Sequence, residues 1–250
     1  MRLLISNDDG IDAPGIAALA DAASAFGDVW VVAPDRERSA HGHAFTMHEP
    51  LRAHPRGPQR FAVSGTPADA VYLGIHKLLP EPPALVLAGI NDGSNLGNDV
   101  FYSGTVAAAM EGALLGLPAI AISLHKRAGD KVRHWETAQD VARRVIANVL
   151  AEGLPRRTLL NVNVPNVPLS RLAGLKTCVL GERRYHPLVL ERLDPRGRTY
   201  YWIGGDHDTF VEVAESDGLA IDADWATVTP IVPDVTHHDA LPQVRRWTDA

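Results

Sequence analysis

Two adjacent acidic residues, Asp8 and Asp9, directly follow a short apolar run at residues 2–6, in the segment Asn-Asp-Asp-Gly. Carboxylates held side by side repel each other, and a cation shared between them would relieve that repulsion. Two carboxylates with neutral oxygen ligands form the kind of site that Mg²⁺, Mn²⁺ or Ca²⁺ prefers. The segment alone also fits a simple turn, because Asn, Asp and Gly are the usual turn residues.

Polar segments follow two other apolar runs in the same way. The run VWVVA ends before Pro-Asp-Arg-Glu-Arg-Ser, and the run ALVLAGI ends before Asn-Asp-Gly-Ser-Asn. Ser39 and Asn91, from these segments, could complete the shell of an ion through hydroxyl and amide oxygens. Each taken alone is equally a loop residue that makes local hydrogen bonds.

Two histidines, His41 and His43, follow Ser39 closely and raise the question of zinc. A zinc site needs further ligands at suitable spacing, and none accompanies this pair. We expect both histidines in a solvated or substrate-facing loop.

The segment Ser103-Gly104-Thr105 opens a helix that is rich in small residues. The N–H groups at a helix N-terminus bind anions, and a glycine lets a phosphate approach closely. The alternative is a serine that only caps a tightly packed helix. No glycine-rich dinucleotide turn and no P-loop occurs, so a metal-bridged monophosphate is the better expectation.

These segments need a scaffold, and the chain predicts one of alternating strands and helices. Continuous apolar strands that alternate with helices indicate an α/β fold with a mostly parallel sheet covered on both faces. Ligands of such sheets bind beyond the carboxyl ends of the strands, where the three polar segments would meet. We predict strands at 2–6, 29–33, 61–64, 84–90, 119–124 and 159–164, and helices near 14–26, 67–79, 106–116 and 135–151.

The last third of the chain has a different character. Residues 176–232 mix charged turns with strand-like pieces such as TYYWIG and ATVTPI. No repeat, linker or low-complexity segment divides the sequence. We therefore expect one domain over residues 1–250, with a C-terminal β-rich extension from about 176 that packs on a partner subunit.

Composition excludes several classes of protein. The formal net charge is -6, which disfavours binding to nucleic-acid duplexes, because such binding needs a basic surface. No stretch approaches the roughly 20 apolar residues of a membrane helix, and the N-terminus lacks a signal peptide. The single cysteine, Cys178, is compatible with a reducing compartment. We expect a cytoplasmic protein that does not associate with membranes.

At these residues the chain resembles the stationary-phase survival protein SurE family of nucleotidases. The resemblance covers nearly the whole chain and is densest over residues 1–120. It is carried by the segments SNDDGIDAPGI, VVAPDRERSAHGHAFTMHEPLR, GTPADAVYLG, GINDGSNLGNDVFYSGTVAAAMEG and LNVNVP, with looser matches at YYWIG and DGLAIDADWATVTPI.

The resemblance implies a Rossmann-like three-layer fold, a divalent cation, hydrolysis of nucleoside monophosphates, and a homodimer or homotetramer built through the C-terminal arm. It implies one cation, with Mg²⁺ or Mn²⁺ expected, and four ligands: Asp8, Asp9, Ser39 and Asn91. It places Ser103, Gly104 and Thr105 beside the substrate phosphate, with Asn95 as a neighbour.

Two positions depart from the family pattern. Asp92 adds a carboxylate where relatives often carry other residue types, and Asn98 stands where an aspartate is common. Asp92 could either tighten the cation or discourage an anionic substrate.

The expected function is therefore a metal-dependent 5'-nucleotidase that acts on nucleoside 5'- or 3'-monophosphates. Asp8 and Asp9 would be its catalytic residues, and a water activated by the metal would be the nucleophile. Two alternatives are a zinc-dependent deacetylase, which usually supplies histidine ligands, and a nucleotide-sensing module with no turnover.

Overall fold

The computed structural model describes residues 1–185, 188–204 and 207–248. Its first two thirds alternate strands with helices, as the sequence predicts. These elements are β1 (Arg2–Ser6), α1 (Pro14–Ser24), β2 (Asp28–Pro34), β3 (Ala53–Pro55), β4 (Arg60–Val63), α2 (Pro67–Leu73), β5 (Leu85–Asn91), α3 (Gly104–Leu114), β6 (Ala119–His125), α4 (Trp135–Glu152) and β7 (Leu159–Pro165).

The last third contains mostly short strands. These are β8 (Gly174–Thr177), β9 (Arg183–Tyr185), β10 (Leu188–Leu193), β11 (Thr199–Gly204) and β12 (His207–Phe210), followed by α5 (Asp217–Asp222), β13 (Trp225–Ile231) and α6 (Leu241–Thr248).

A single nine-stranded sheet, in the order β3-β4-β2-β1-β5-β6-β7-β13-β8, organises the molecule. Six neighbouring strands run parallel to one another, in the spatial order β4, β2, β1, β5, β6 and β7. At one edge β3 is antiparallel to β4, and near the other edge β13 is antiparallel to β7. The predicted α/β fold with a mostly parallel sheet is confirmed.

The apolar strands are buried on both faces, which explains why their sequences do not alternate between apolar and polar residues. In β1, Leu3 and Ile5 join the core beneath α1 and α4, while Leu4 joins the core on the opposite face beneath α2 and α3. The helices therefore form two outer layers around the sheet. This three-layer arrangement fixes the carboxyl ends of the parallel strands along one edge.

Helix α3 lies unusually close to the sheet. A Cβ atom at Gly112 would meet the Cβ of Val86 at 2.8 Å, so only glycine allows this approach between α3 and β5. The small residues of α3 are therefore a packing requirement, and they set the depth at which its N-terminus reaches the strand ends.

Helix α2 begins with a threonine cap. The Thr66 hydroxyl accepts from the N–H of Asp69 at 3.1 Å, and the Asp69 carboxylate accepts from the N–H of Thr66 at 2.9 Å. This reciprocal pair is a capping box. The helical segment continues to Leu78, close to the predicted end, but residues 74–78 form a π-helical turn, which sequence periodicity does not distinguish from an α-helix.

The C-terminal third is only partly separate from the sheet. The segment ATVTPI, which the sequence analysis grouped with the extension, lies in β13 between β7 and β8. By contrast, among the residues that the structure describes, β10 pairs with β11 alone, in an antiparallel hairpin, and β12 pairs with β9. We call residues 183–210 the arm. The segments before and after the arm lie side by side, because Val179 and Ser216 form a parallel bridge.

Candidate active site

The predicted ligands meet at the carboxyl ends of three parallel strands. Asp8 and Asp9 follow β1, Ser39 follows β2, and Asn91 is the last residue of β5. All four line one open cleft of about 580 Å³. Adjacent strands β2, β1 and β5 bring them together although the segments lie far apart in the sequence.

Asp8 is buried, with 5% of its surface exposed. Its Oδ1 accepts a short hydrogen bond from the Thr105 hydroxyl, in the first turn of α3. Burial raises the pKa of Asp8 to about 6, with a smaller contribution from the Asp9 carboxylate, and the Thr105 hydrogen bond only partly offsets this rise. An ionised Asp8 is therefore held in an environment that lacks sufficient positive charge.

Gly104 lies against this carboxylate. A Cβ atom at position 104 would meet Asp8 Cβ at 2.7 Å and Asp8 Oδ2 at 2.9 Å. The glycine therefore admits Asp8 to the N-terminus of α3, which favours a negative charge. Sequence reasoning expected a substrate phosphate in this place, whereas Gly104 and Thr105 contact the acidic residue itself.

Ser103 has the capping role that was the alternative from sequence. Its Oγ accepts from the N–H of Val106 at 3.0 Å. The residue also lines the cleft. Of the predicted phosphate segment, Ser103 therefore borders the open space, while Thr105 is fully buried.

Asp9 is half-buried and is oriented by the loop that follows β5. Its Oδ2 accepts from the backbone N–H of Asp92 at 3.1 Å. Burial raises the pKa of Asp9, and the carboxylates of Asp92 and Glu37 add to the rise. Both aspartates thus carry negative charge that a cation would stabilise.

The Asp92 carboxylate, in contrast, has cationic partners. Its Oδ1 accepts from Arg133 Nε at 2.6 Å, and Lys126 Nζ lies 3.2 Å from its Oδ2. Partial burial raises the pKa of Asp92, but hydrogen bonds and charge from Arg133 and Lys126 outweigh this and leave the pKa lowered. Asp92 is therefore a paired carboxylate, and the sequence analysis did not identify Arg133 and Lys126 as its partners.

Ser39 and Asn91 would supply neutral oxygens. Ser39 is exposed, and its hydroxyl donates to Glu37 at 2.8 Å. The Asn91 amide nitrogen donates to the carbonyl of Gly93 at 2.8 Å, which fixes the plane of the amide. Two carboxylates, a hydroxyl and an amide together form an all-oxygen set, which fits a hard divalent cation.

Asn95 is held by β6 and β7. Its backbone N–H donates to Asn163 Oδ1 at 2.8 Å, and its side-chain nitrogen donates to Ser123 Oγ at 2.8 Å. Asn161 and Asn163 in turn donate to its carbonyl oxygen. The segment LNVNVP, to which sequence reasoning gave no role, therefore buttresses the cleft.

Comparison with known proteins identifies the family of this architecture. The family model described as Survival protein SurE matches residues 3–187. The chain belongs to the SurE family. It is 47% identical over 248 residues to 5'-nucleotidase SurE of Geobacter metallireducens, covering 99% of this chain and 97% of the relative. It is 49% identical over 250 residues to 5'-nucleotidase SurE of Syntrophotalea carbinolica, covering 99% and 98%.

A solved SurE structure has the same fold. The SurE protein from Aquifex aeolicus superposes with a TM-score of 0.87 at 39% identity, over 100% of both chains. The resemblance inferred from the sequence motifs is confirmed. Among the described residues, no helix has both the length and the apolar character needed to span a membrane.

Arg183 is a cleft residue that the SurE motifs did not reveal. It comes from β9, at the start of the arm, and lines the cleft together with Asp8 and Asp9. Its guanidinium lies 2.6 Å from Asp99 Oδ2, and its backbone N–H donates to Asn98 Oδ1 at 2.8 Å. Asn98 thus holds the root of the arm. No local pattern marks Arg183, because its approach to the cleft depends on tertiary folding.

The histidines have structural partners in this SurE chain. His43 Nε2 lies 2.8 Å from Oε2 of Glu111, a buried residue of α3. The sequence analysis expected a solvated or substrate-facing loop and did not predict this contact. His41 is exposed, and its Nδ1 lies 3.0 Å from the carbonyl of Ser39. Across the part of the chain that the structure describes, His, Cys, Asp and Glu form no group of three suited to a metal. The candidate ligands Asp8, Asp9, Ser39 and Asn91 all offer oxygen atoms, whereas the zinc alternative expects histidine nitrogens.

Proposed function

We propose that this chain hydrolyses nucleoside monophosphates with one divalent cation, held by Asp8, Asp9, Ser39 and Asn91. The 5'-nucleotidase activity rests on its near-complete coverage of relatives that carry this name. The observation that carries the metal proposal is that the side chains of Asp8, Asp9, Ser39 and Asn91, all oxygen donors, line one cleft at the carboxyl ends of three parallel strands. Mg²⁺ and Mn²⁺ are the cations that best suit such ligands.

The surrounding residues position the two carboxylates. A bound divalent cation would supply charge for the phosphate and lower the pKa of a water molecule. Thr105 orients Asp8 through its hydroxyl, and the Asp92 N–H orients Asp9. Partners that orient metal ligands in this way contribute substantially to metal affinity.

We assign the substrate phosphate to the space beside Ser103 and Asn95, which border the cleft. Gly104 and Thr105 lie against Asp8 and place the positive end of α3 next to its carboxylate. Their part in substrate binding is therefore indirect and acts through the position of Asp8.

The proposed reaction is a single displacement by water at phosphorus. One O–P bond forms between water and phosphorus as the ester O–P bond breaks. The water gives up a proton, and the leaving nucleoside oxygen takes up a proton to become the nucleoside hydroxyl. Attack by an aspartate is disfavoured, because Asp8 is hydrogen-bonded and buried and both carboxylates would serve the cation. A chiral thiophosphate ester should react with inversion at phosphorus. Retention, or a trapped phosphoenzyme, would show that an aspartate attacks instead.

The experiment that tests the function measures phosphate release from 5'- and 3'-nucleoside monophosphates with Mg²⁺, with Mn²⁺ and with chelator. We expect release from nucleotides only when a divalent cation is present. Acetate release from an acetylated nucleoside would point to a deacetylase. Tight nucleotide binding without phosphate release would point to a sensing module.

We propose a homodimer or homotetramer that forms through the arm. Hairpin β10–β11 has apolar side chains on both of its faces, and Ile203 is 90% exposed. A two-stranded hairpin without a packing partner is marginally stable in water. A second subunit would cover these side chains. The single, buried Cys178 suits a cytoplasmic location, where disulfides are rare.

A further inference from the structure

The proposed substrate faces a problem of charge. Five acidic side chains line the cleft: Asp8, Asp9, Glu37, Asp92 and Asp99. Asp92 is paired with Arg133 and Lys126, but a phosphate monoester is itself an anion. One divalent cation shared by Asp8 and Asp9 would be largely neutralised by its own ligands. A cationic side chain beside the phosphate would resolve the imbalance.

Arg183 is the one cationic residue among the described residues that line the cleft. Its side chain is 14% exposed and is oriented by Asp99, whose side chain is 12% exposed. A guanidinium can contact a carboxylate and a phosphate at the same time, because its five N–H donors point in different directions within one plane.

The backbone at Arg183 is fixed to the loop that follows β5. Asn98 Oδ1 accepts from the N–H of Arg183 at 2.8 Å. Asp217, which is fully buried, accepts from the N–H of Gly97 and from the N–H of Gly181, each at 2.9 Å. These bonds hold position 183 against the loop that carries Asn95 and leads to Ser103. The backbone at position 183 is therefore fixed, and the ion pair with Asp99 orients the guanidinium. Such pre-positioning is what binding of a transition state requires.

We propose that Arg183 binds the phosphate of the substrate and is a catalytic residue supplied by the root of the arm. This inference rests on the proposed nucleotidase function. It goes beyond the expected site, because the SurE motifs place every other phosphate neighbour within residues 95–105.

The test compares Arg183→Ala with two control variants. Arg184→Ala removes the same charge from the next position, where the side chain is 68% exposed and pairs with Glu182. Asp99→Asn breaks the ion pair of Arg183 but keeps the guanidinium. For each protein, kcat/KM, inhibition by inorganic phosphate, and the Kd for Mn²⁺ by calorimetry are measured.

We expect Arg183→Ala to lower kcat/KM about 100-fold, the usual effect of removing one donor to a developing oxyanion. Its inhibition by inorganic phosphate should weaken, while its Kd for Mn²⁺ should stay unchanged. Arg184→Ala should match the wild type. Asp99→Asn should bind inorganic phosphate at least as tightly as the wild type, because it removes a negative charge from the cleft.

A purely structural ion pair predicts a different pattern. Arg183→Ala and Asp99→Asn would then have equal effects on kcat/KM, and that result would overturn the proposal. Loss of Mn²⁺ binding in Arg183→Ala would also overturn it, because it would show a collapsed site. If Arg183→Ala does not fold, Arg183→Lys keeps the charge without the planar fork, and weaker phosphate inhibition with an unchanged Kd for Mn²⁺ is again expected. A wild-type protein that neither binds Mn²⁺ nor releases phosphate would contradict the proposed function instead.

Discussion

The protonation of Asp8 connects the site to the stability of the molecule. Burial raises the pKa of Asp8 from its ordinary value of 3.8 to about 6 in the folded protein. The metal-free folded state therefore binds this proton more tightly than the unfolded chain does. The stability that follows is fully present below a pH of about 4 and is lost as the pH rises through about 6.

The variant Asp8→Asn should reveal this cost. Asparagine keeps an oxygen for the Thr105 hydroxyl but has no charge to desolvate. In chelator, Asp8→Asn should be more stable than the wild type by about 1–3 kcal/mol near pH 8, with the difference shrinking toward pH 4. Thermal unfolding across this pH range measures it. The same variant should have no phosphatase activity, and normal turnover with normal metal affinity would remove Asp8 from the site.

Gly104 should be as sensitive as the acidic residue that it contacts. In Gly104→Ala the new methyl group would displace Asp8, at a cost of about 1–3 kcal/mol for overpacking. We expect weaker Mn²⁺ binding together with lower kcat. Gly204→Ala is the matched control, because no atom of the described part of the chain lies within 4 Å of its added Cβ. Normal Mn²⁺ affinity in Gly104→Ala would show that Asp8 is not displaced.

The candidate ligands could be found from sequence because each follows a strand. Asp8, Asp9, Ser39 and Asn91 all stand where an apolar run ends, and parallel topology then places them together. The contact between Gly104 and Asp8 could not be found this way, since it depends on how deeply α3 packs. Arg183 was missed for a related reason: its neighbours in the sequence have no periodicity, and its position depends on bonds to Asn98 and Asp217.

At the scale of elements, the N-terminus of α3 combines a stabilising role with a functional one. Ser103 caps the helix through Val106 and also borders the cleft. Thr66 caps α2 in a similar way but does not line the cleft. Comparing variants of the two caps therefore distinguishes an effect on helix stability from an effect on activity.

Ser103→Ala and Thr66→Ala should each cost about 1 kcal/mol of stability, the usual effect of losing a cap. Only Ser103→Ala should also lower kcat/KM for a nucleoside monophosphate. Urea unfolding and steady-state kinetics on both variants measure the two effects. Equal kinetic losses would show that Ser103 acts only through the stability of its helix.

The main elements were predictable, and their pairing was less so. Long apolar runs identify β1, β5, β6 and β7, because strands buried on both faces must be apolar throughout. The location of β13 was not predictable. It lies antiparallel between β7 and β8, and its sequence carries no sign of which strands it will pair with. Local patterns specify the type of element, whereas long-range pairing decides its place.

At the scale of the whole molecule, the arm presents a large apolar surface for a hairpin. In β10 and β11, the pairs Val189–Ile203 and Leu190–Trp202 lie on opposite faces of the ribbon.

A truncation that removes the arm is a poor test of assembly. Cutting the chain near Gly181 would remove β13 from the main sheet together with the arm. Point substitutions in the hairpin are therefore the better test of assembly.

Ile203→Glu and Trp202→Glu should lower the oligomeric state, because a buried charge at a subunit interface is costly. Light scattering after size-exclusion chromatography measures the mass. Leu169→Glu, at an exposed apolar residue outside the arm, should leave the mass unchanged. An unchanged mass in both arm variants would place the interface elsewhere.

Asp217 links the root of the arm to the loop that leads to the cleft. It accepts from Gly181 at the root of the arm and from Gly97 in the loop that leads to the cleft. Association of subunits that tightens this root would also tighten the loop, and thermodynamic linkage makes the effect reciprocal. Substrate would then strengthen association by the same factor by which association strengthens substrate binding. Dilution should in consequence weaken the apparent affinity for nucleotide, and saturating nucleotide should protect the oligomer from dissociating.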